Sequence, residues 1–233
     1  MEVVLPGFPE YVSERIEAPD MAELLTYPWF FNASCEAVER FGSAWQRRLL
    51  AAIPWRGTGR WRTVLSKVTV ESAHTRSLLS PPRDGFEWHV DGKGEEHEAG
   101  DTTWREGSER FWLYEVAATC LTAFNTTPIV VPQAETVENI GDWLKEHAQE
   151  RLTPQVMAPM RLVEVVNHVH RPTIPAGREF RFVFRVRETN RSVGPVAGSG
   201  MITHINQQGL DGRTYTTLER RDGDVIVRGG TFR

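Results

Sequence analysis

Apolar positions along this chain follow two periods, and the changes between them mark out the elements. Over 35–53, Val38, Phe41, Trp45, Leu49 and Ala52 recur three or four apart, which predicts a helix with one buried face. Ser34 offers an N-cap for it and Pro54 a stop. A second helix is predicted over 137–151, with Ile140, Leu144, Ala148 and Leu152 on one face and Pro154 and Pro159 beyond. Elsewhere glycines and prolines punctuate short segments of strand character: 61–70, 85–90, 111–124, 128–131 and 162–170. The polar, glycine-containing stretch 91–108 reads as a loop.

Strand character is clearest over 180–186. There Arg181, Val183, Arg185 and Arg187 fall on one face, and Phe180, Phe182, Phe184 and Val186 on the other. A Pro/Gly turn over 172–177 precedes this strand. Near the C-terminus, 214–220 and 224–228 flank an Arg-Asp-Gly turn and read as a hairpin. Many short strands with interspersed helices predict a mainly β protein, a β-sandwich or jelly roll carrying helices on one side.

Length and composition narrow the class. A chain of 233 residues suits one domain, with a helical N-terminal part over 1–55, a core over 61–190 and C-terminal strands over 191–233. A net charge of -4 supplies no basic footprint for nucleic acid or an anionic membrane. No apolar run approaches the ~20 residues of a spanning helix. The N-terminus lacks the basic and apolar regions of a signal peptide, so a cytoplasmic location is expected. Cys35 and Cys120 are too few for a disulfide framework or a four-thiolate zinc site.

Chemistry enters with His89-Val90-Asp91. Side chains at i and i+2 of an extended segment point to one face, so an imidazole and a carboxylate become neighbours. A second imidazole from another strand completes a two-His, one-carboxylate triad, the donor set of non-haem Fe(II) oxygenases. The tripeptide alone is weak, because a chain with seven histidines and 31 acidic residues contains roughly one His-x-Asp/Glu by chance. Its setting adds weight: an apolar strand leads into it and Gly92 follows it. His168 and His170 supply the second imidazole, and on one strand they share a parity. Arg181 lies eleven residues beyond His170, and Arg178 lies ten beyond His168. An inward arginine on this strand suits a carboxylate, because guanidinium is planar and permanently charged.

His89-x-Asp91, then His170-Arg171, a Pro/Gly turn, and Arg181-Phe-Val-Phe-Arg185 together resemble the Fe(II)- and 2-oxoglutarate-dependent dioxygenases. The resemblance covers roughly 85–187, and its spacing is similar to that of the taurine dioxygenase branch. It implies a double-stranded β-helix, the cupin-like jelly roll with helices packed on one sheet. That places Phe180, Phe182 and Phe184 against the helices. It further implies Fe(II) held by His89, Asp91 and His170, with His168 as the alternative third ligand. Arg181 would bind the far carboxylate of 2-oxoglutarate with Arg185 in support, or Arg178 would do so if His168 is the ligand. Trp88, Trp104 and His168 are candidates to line a substrate pocket.

The implied activity is that of an oxidoreductase. Oxidative decarboxylation of 2-oxoglutarate to succinate and carbon dioxide, with O2, is coupled to hydroxylation of a C–H bond. The expected substrate is a small molecule such as an amino acid or a natural-product biosynthetic intermediate. Desaturation and epoxidation share this machinery, whereas Asp91 disfavours halogenation. Two alternatives keep the jelly roll: a cupin-like metalloenzyme not using 2-oxoglutarate, and a non-catalytic small-molecule-binding protein. A serine hydrolase is disfavoured, since the chain has no Gly-x-Ser-x-Gly elbow. The cluster Glu95, Glu96, His97, Glu98 and Asp101 reads as a solvated acidic lid rather than a second metal site. The sequence leaves the oligomeric state open.

Overall fold

The computed structural model describes residues 2–57, 61–71, 88–90, 109–132, 140–175 and 177–189, and the backbone of four short strands between 207 and 228. The N-terminal part holds β1 (Glu2–Leu5), a single-turn helix α1 (Met21–Leu24), β2 (Pro28–Ser34), α2 (Cys35–Phe41) and α3 (Ala44–Ala51). Then come β3 (Trp61–Glu71), β4 (Glu109–Val116), β5 (Thr122–Asn125), β6 (Ile129–Pro132), α4 (Ile140–His147) and β7 (Pro154–Val156). The remaining strands are β8 (Val163–Val165), β9 (His170–Pro172), β10 (Glu179–Thr189), β11 (Gln207–Gln208), β12 (Thr214–Tyr215), β13 (Leu218–Arg221) and β14 (Asp224–Arg228). The protein is mainly β, and every strand pairing among the described residues is antiparallel.

Two sheets frame the interior. One has seven strands in the order β13-β14-β2-β3-β10-β4-β8, and the other has three in the order β7-β5-β9. The segment 88–90 lies beside β9, because His89 and His170 form an antiparallel bridge. The pairing is nested: β3 with β10, 88–90 with β9, β4 with β8, and β5 with β7. Phe111, Leu113, Val163, Val165 and Val183 of the larger sheet pack with Phe124 of the smaller and with Leu121 just before β5, so the two sheets meet face to face.

Helices cover the outer face of the larger sheet. Phe182, Phe184, Val186, Trp112, Tyr114, Val64 and Val68 bury there against Leu24, Val38, Trp45 and Leu49. Burying one such side chain contributes about 1.5–3 kcal/mol, so this layer anchors β10 from behind. The alternation expected for 180–186 is therefore observed, with the phenylalanines toward helices and the arginines toward the sheet-to-sheet interior. On the smaller sheet's outer side, α4 and the β1–β6 pair bury Leu5, Ile129, Val131, Ile140 and Leu144 with Trp88 and Val90.

Four expectations need correction. The predicted helix over 35–53 is two helices, broken at Gly42 and Ser43. A Cβ at Gly42 would lie 2.5 Å from the Val38 carbonyl oxygen, and Ser43 starts a new capping box with Gln46. The N-terminal part is not helical alone: β1 pairs with β6, and β2 joins the larger sheet between β14 and β3. The stretch 111–124 divides between β4 and β5, in different sheets. The predicted strand over 162–170 is likewise two strands in different sheets, separated by a turn in which Asn167 adopts φ 56°. Asparagine tolerates that left-handed conformation better than most residues. Residues 85–87 and the predicted loop 91–108 lie outside the described residues, as does the start of the second helix.

Candidate metal centre

His89 and His170 are brought together by backbone pairing. The His89 N–H donates to the His170 carbonyl at 3.0 Å, and the His170 N–H donates to the His89 carbonyl at 2.9 Å. Their ring centroids lie 4.4 Å apart with planes tilted by 56°. Trp88 and Val90 bury on the outer side of the sheet, so alternation turns His89 inward, the direction in which His170 meets Phe111 and Phe124. Asp91, the expected carboxylate, lies outside the described residues. Among the described residues no group of three or more His, Cys, Asp or Glu side chains is arranged to hold a metal.

The turn at Asn167 gives the two later histidines different roles. His170 Nδ1 is 2.8 Å from the His168 carbonyl oxygen, which can only accept, so Nδ1 carries the proton and the lone pair sits on Nε2. A backbone carbonyl bonded to one ring nitrogen is the usual way to orient a histidine that ligates through the other. His168 has the reverse arrangement: its Nδ1 accepts the Val166 N–H at 2.8 Å. Its ring lies edge-on to Phe124 in a buried place. Burial, then the neighbouring His170, lowers its pKa to about 4. His168 is therefore a neutral imidazole whose Nδ1 lone pair is already engaged.

Among the described residues the candidate donor set is the two histidines alone. Two imidazoles face each other across adjacent strands, and one has its tautomer fixed for Nε2 ligation. Asp91 follows Val90 by one residue, on the parity of His89.

Arg181 points inward, as expected, but it already has a carboxylate. Its Nη2 donates to Glu115 Oε1 and, at 3.1 Å, to Thr122 Oγ1. Glu115 is fully buried and also accepts the Thr122 N–H at 2.8 Å and the Thr122 hydroxyl at 2.9 Å. Glu71 lies 4.0 Å from Arg181 Nη1. Burial lowers the Arg181 pKa, but Glu115, together with Cys120 and Glu71, raises it and the net shift is upward. Arg185, on the same face, places its guanidinium 5.4 Å from the Phe111 ring centroid, beside the aromatic that touches His170.

Three further expectations are not met or lie outside the described residues. Trp88 does not line the interior: it packs in the outer cluster with Leu5 and Ile140, and the Arg171 guanidinium sits 4.6 Å from its ring centroid. Arg178 is exposed in the turn before β10, whereas His168 is buried. Trp104 lies outside the described residues. Sequence reasoning missed Glu115 and Thr122. The available signal was an acidic residue inside the apolar run Phe111–Phe124, at the inward parity of Phe111 and Leu113.

No family model matches the chain, and the comparisons with curated proteins and with solved structures return no match. No described helix is long and apolar enough to cross a membrane.

Proposed function

We propose that this protein is a non-haem Fe(II) dioxygenase that uses 2-oxoglutarate to hydroxylate a small molecule. The observation that carries the reading is the His89–His170 pair: facing backbone positions, rings 4.4 Å apart, and Nδ1–H of His170 held by a carbonyl. The nested pairing supports it from the fold. A jelly roll pairs its strands first with last and so on inward, and the antiparallel pairings β3–β10, 88–90 with β9, β4–β8 and β5–β7 are consistent with that pattern. In that reading the paired histidines belong to the smaller sheet, and Arg181 reaches that sheet from the larger one at Thr122.

His89, His170 and Asp91 would hold the iron. A metal bound with 2-oxoglutarate supplies oxygen activation, giving succinate, carbon dioxide and one oxygen atom for a substrate C–H bond. The chain's own residues orient and exclude. His168 presents its carbonyl to His170 and fixes that ring's rotation. Phe111 and Phe124 flank His170 and displace water from one side of it. Arg185, beside Phe111, brings a cation to the interior, which suits an anionic group on a bound small molecule. The test is succinate release from 2-oxoglutarate with Fe(II) and O2, screened over free amino acids and small carboxylated intermediates. Succinate formation lost in His89→Ala supports the reading, and no succinate from folded, metal-loaded protein over the whole panel counts against it.

One observation favours the second reading, a jelly-roll metalloenzyme that does not use 2-oxoglutarate. Arg181, the expected anchor for the cosubstrate, is paired with Glu115. The two readings part on whether 2-oxoglutarate binds beside the metal.

A further inference from the structure

We propose that Glu115 is a built-in competitor for the cosubstrate: it occupies the guanidinium that the far carboxylate of 2-oxoglutarate would take, and so sets the affinity for that diacid. The inference rests on the dioxygenase reading above.

The geometry of Arg181 leads to it. A guanidinium offers two bidentate edges to a carboxylate, Nε with Nη2 and Nη1 with Nη2, and Nη2 belongs to both. Nη2 has two hydrogens, and Arg181 spends its Nη2 contacts on Glu115 and Thr122. Arg181 Nε has no hydrogen-bond partner among the described residues, yet it lies on an edge whose other member is taken. An incoming carboxylate therefore binds bidentately only by displacing Glu115 from Nη2.

Displacement is opposed on both sides of the pair. Glu115 is anchored independently by the Thr122 N–H and hydroxyl, at 2.8 and 2.9 Å. Once parted from Arg181 it would be a buried anion without its cation, which is costly in a low-dielectric interior. Glu71 places a second buried carboxylate 4.0 Å from Nη1, so the incoming group meets like charge there too. A 2-oxo acid without a far carboxylate meets none of this, because it reaches the metal end alone.

The experiment is calorimetric titration of the full chain, loaded with Mn(II) in place of Fe(II), with 2-oxoglutarate and separately with pyruvate. Glu115→Gln removes the charge and keeps an acceptor for Thr122. It should tighten 2-oxoglutarate at least tenfold and leave the pyruvate Kd within threefold. If Glu115→Gln does not fold, Glu115→Asp carries the test: its shorter side chain loosens the pair and should tighten 2-oxoglutarate at least threefold. With Mn(II) bound, an unchanged or weaker 2-oxoglutarate Kd in the variant overturns the proposal, and so does no binding in either protein. Equal tightening of pyruvate also overturns it, since the effect would then not act on the far carboxylate. Failure of the wild-type chain to bind Mn(II) removes the metal centre itself, and the competitor with it.

Discussion

His89 and His170 exchange both main-chain hydrogen bonds and hold their rings 4.4 Å apart. The strands therefore position the two imidazoles before any ligand arrives. If they are two legs of a metal site, His89→Ala and His170→Ala should each weaken Fe(II) or Mn(II) binding by at least a hundredfold. His168→Ala should stay within about tenfold of wild type, because the group that orients His170 is a backbone carbonyl that the substitution keeps. Equilibrium dialysis of the three variants reads this directly. Loss of metal from His168→Ala alone would move the third ligand to His168.

His168 should make the protein acid-sensitive. Its pKa is near 4 when folded and about 6.5 when unfolded, so the unfolded chain takes up the proton first as pH falls. Stability is then full above pH ~6.5 and is lost as pH drops from there toward 4, by up to roughly 3 kcal/mol. His168→Asn keeps an acceptor for the Val166 N–H and does not titrate in this range. Urea unfolding at several pH values should show a shallower acid decline in the variant, and an unchanged decline would assign the acid response to other groups.

The Glu115–Arg181 pair should be far more costly to halve than to remove. Arg181→Met leaves Glu115 buried without its cation, a loss of about 3–5 kcal/mol. Replacing both, with Arg181→Met and Glu115→Leu together, should recover much of that loss. Chemical denaturation of the single and double variants gives the comparison, and a double variant no more stable than the single one would contradict it.

Ser43 should matter to the helical layer behind β10. Its hydroxyl accepts the Gln46 N–H at 3.1 Å, and the Gln46 side chain accepts the Ser43 N–H at 2.9 Å. Gln46 also donates to Ser66 of β3, so the cap is tied to the sheet. Ser43→Ala should lower stability by about 1 kcal/mol, read as a shift in the urea midpoint.

Local chemistry explains what was legible in the sequence. Alternation of Arg181, Val183 and Arg185 with Phe180, Phe182 and Phe184 gave both the strand and its two environments, because one face meets helices and the other the facing sheet. The break at Asn167 was hidden: 162–170 looks continuous, and only one residue's left-handed backbone parts β8 from β9. That break is what distinguishes His168 from His170, which parity alone could not do. Trp88 looked like a pocket residue because it adjoins His89, yet adjacency on a strand means opposite faces. Glu115 escaped notice because its partners, Thr122 and Arg181, lie seven and 66 residues away along the chain.

Anaerobic addition of Fe(II) and millimolar 2-oxoglutarate to the folded protein, followed by visible absorption, tests the proposed function most directly. A weak metal-to-ligand charge-transfer band should appear, persist in His168→Ala and vanish in His170→Ala. No band from wild-type protein that has bound Fe(II) would contradict 2-oxoglutarate dependence, and a band that survives His170→Ala would contradict the assigned centre.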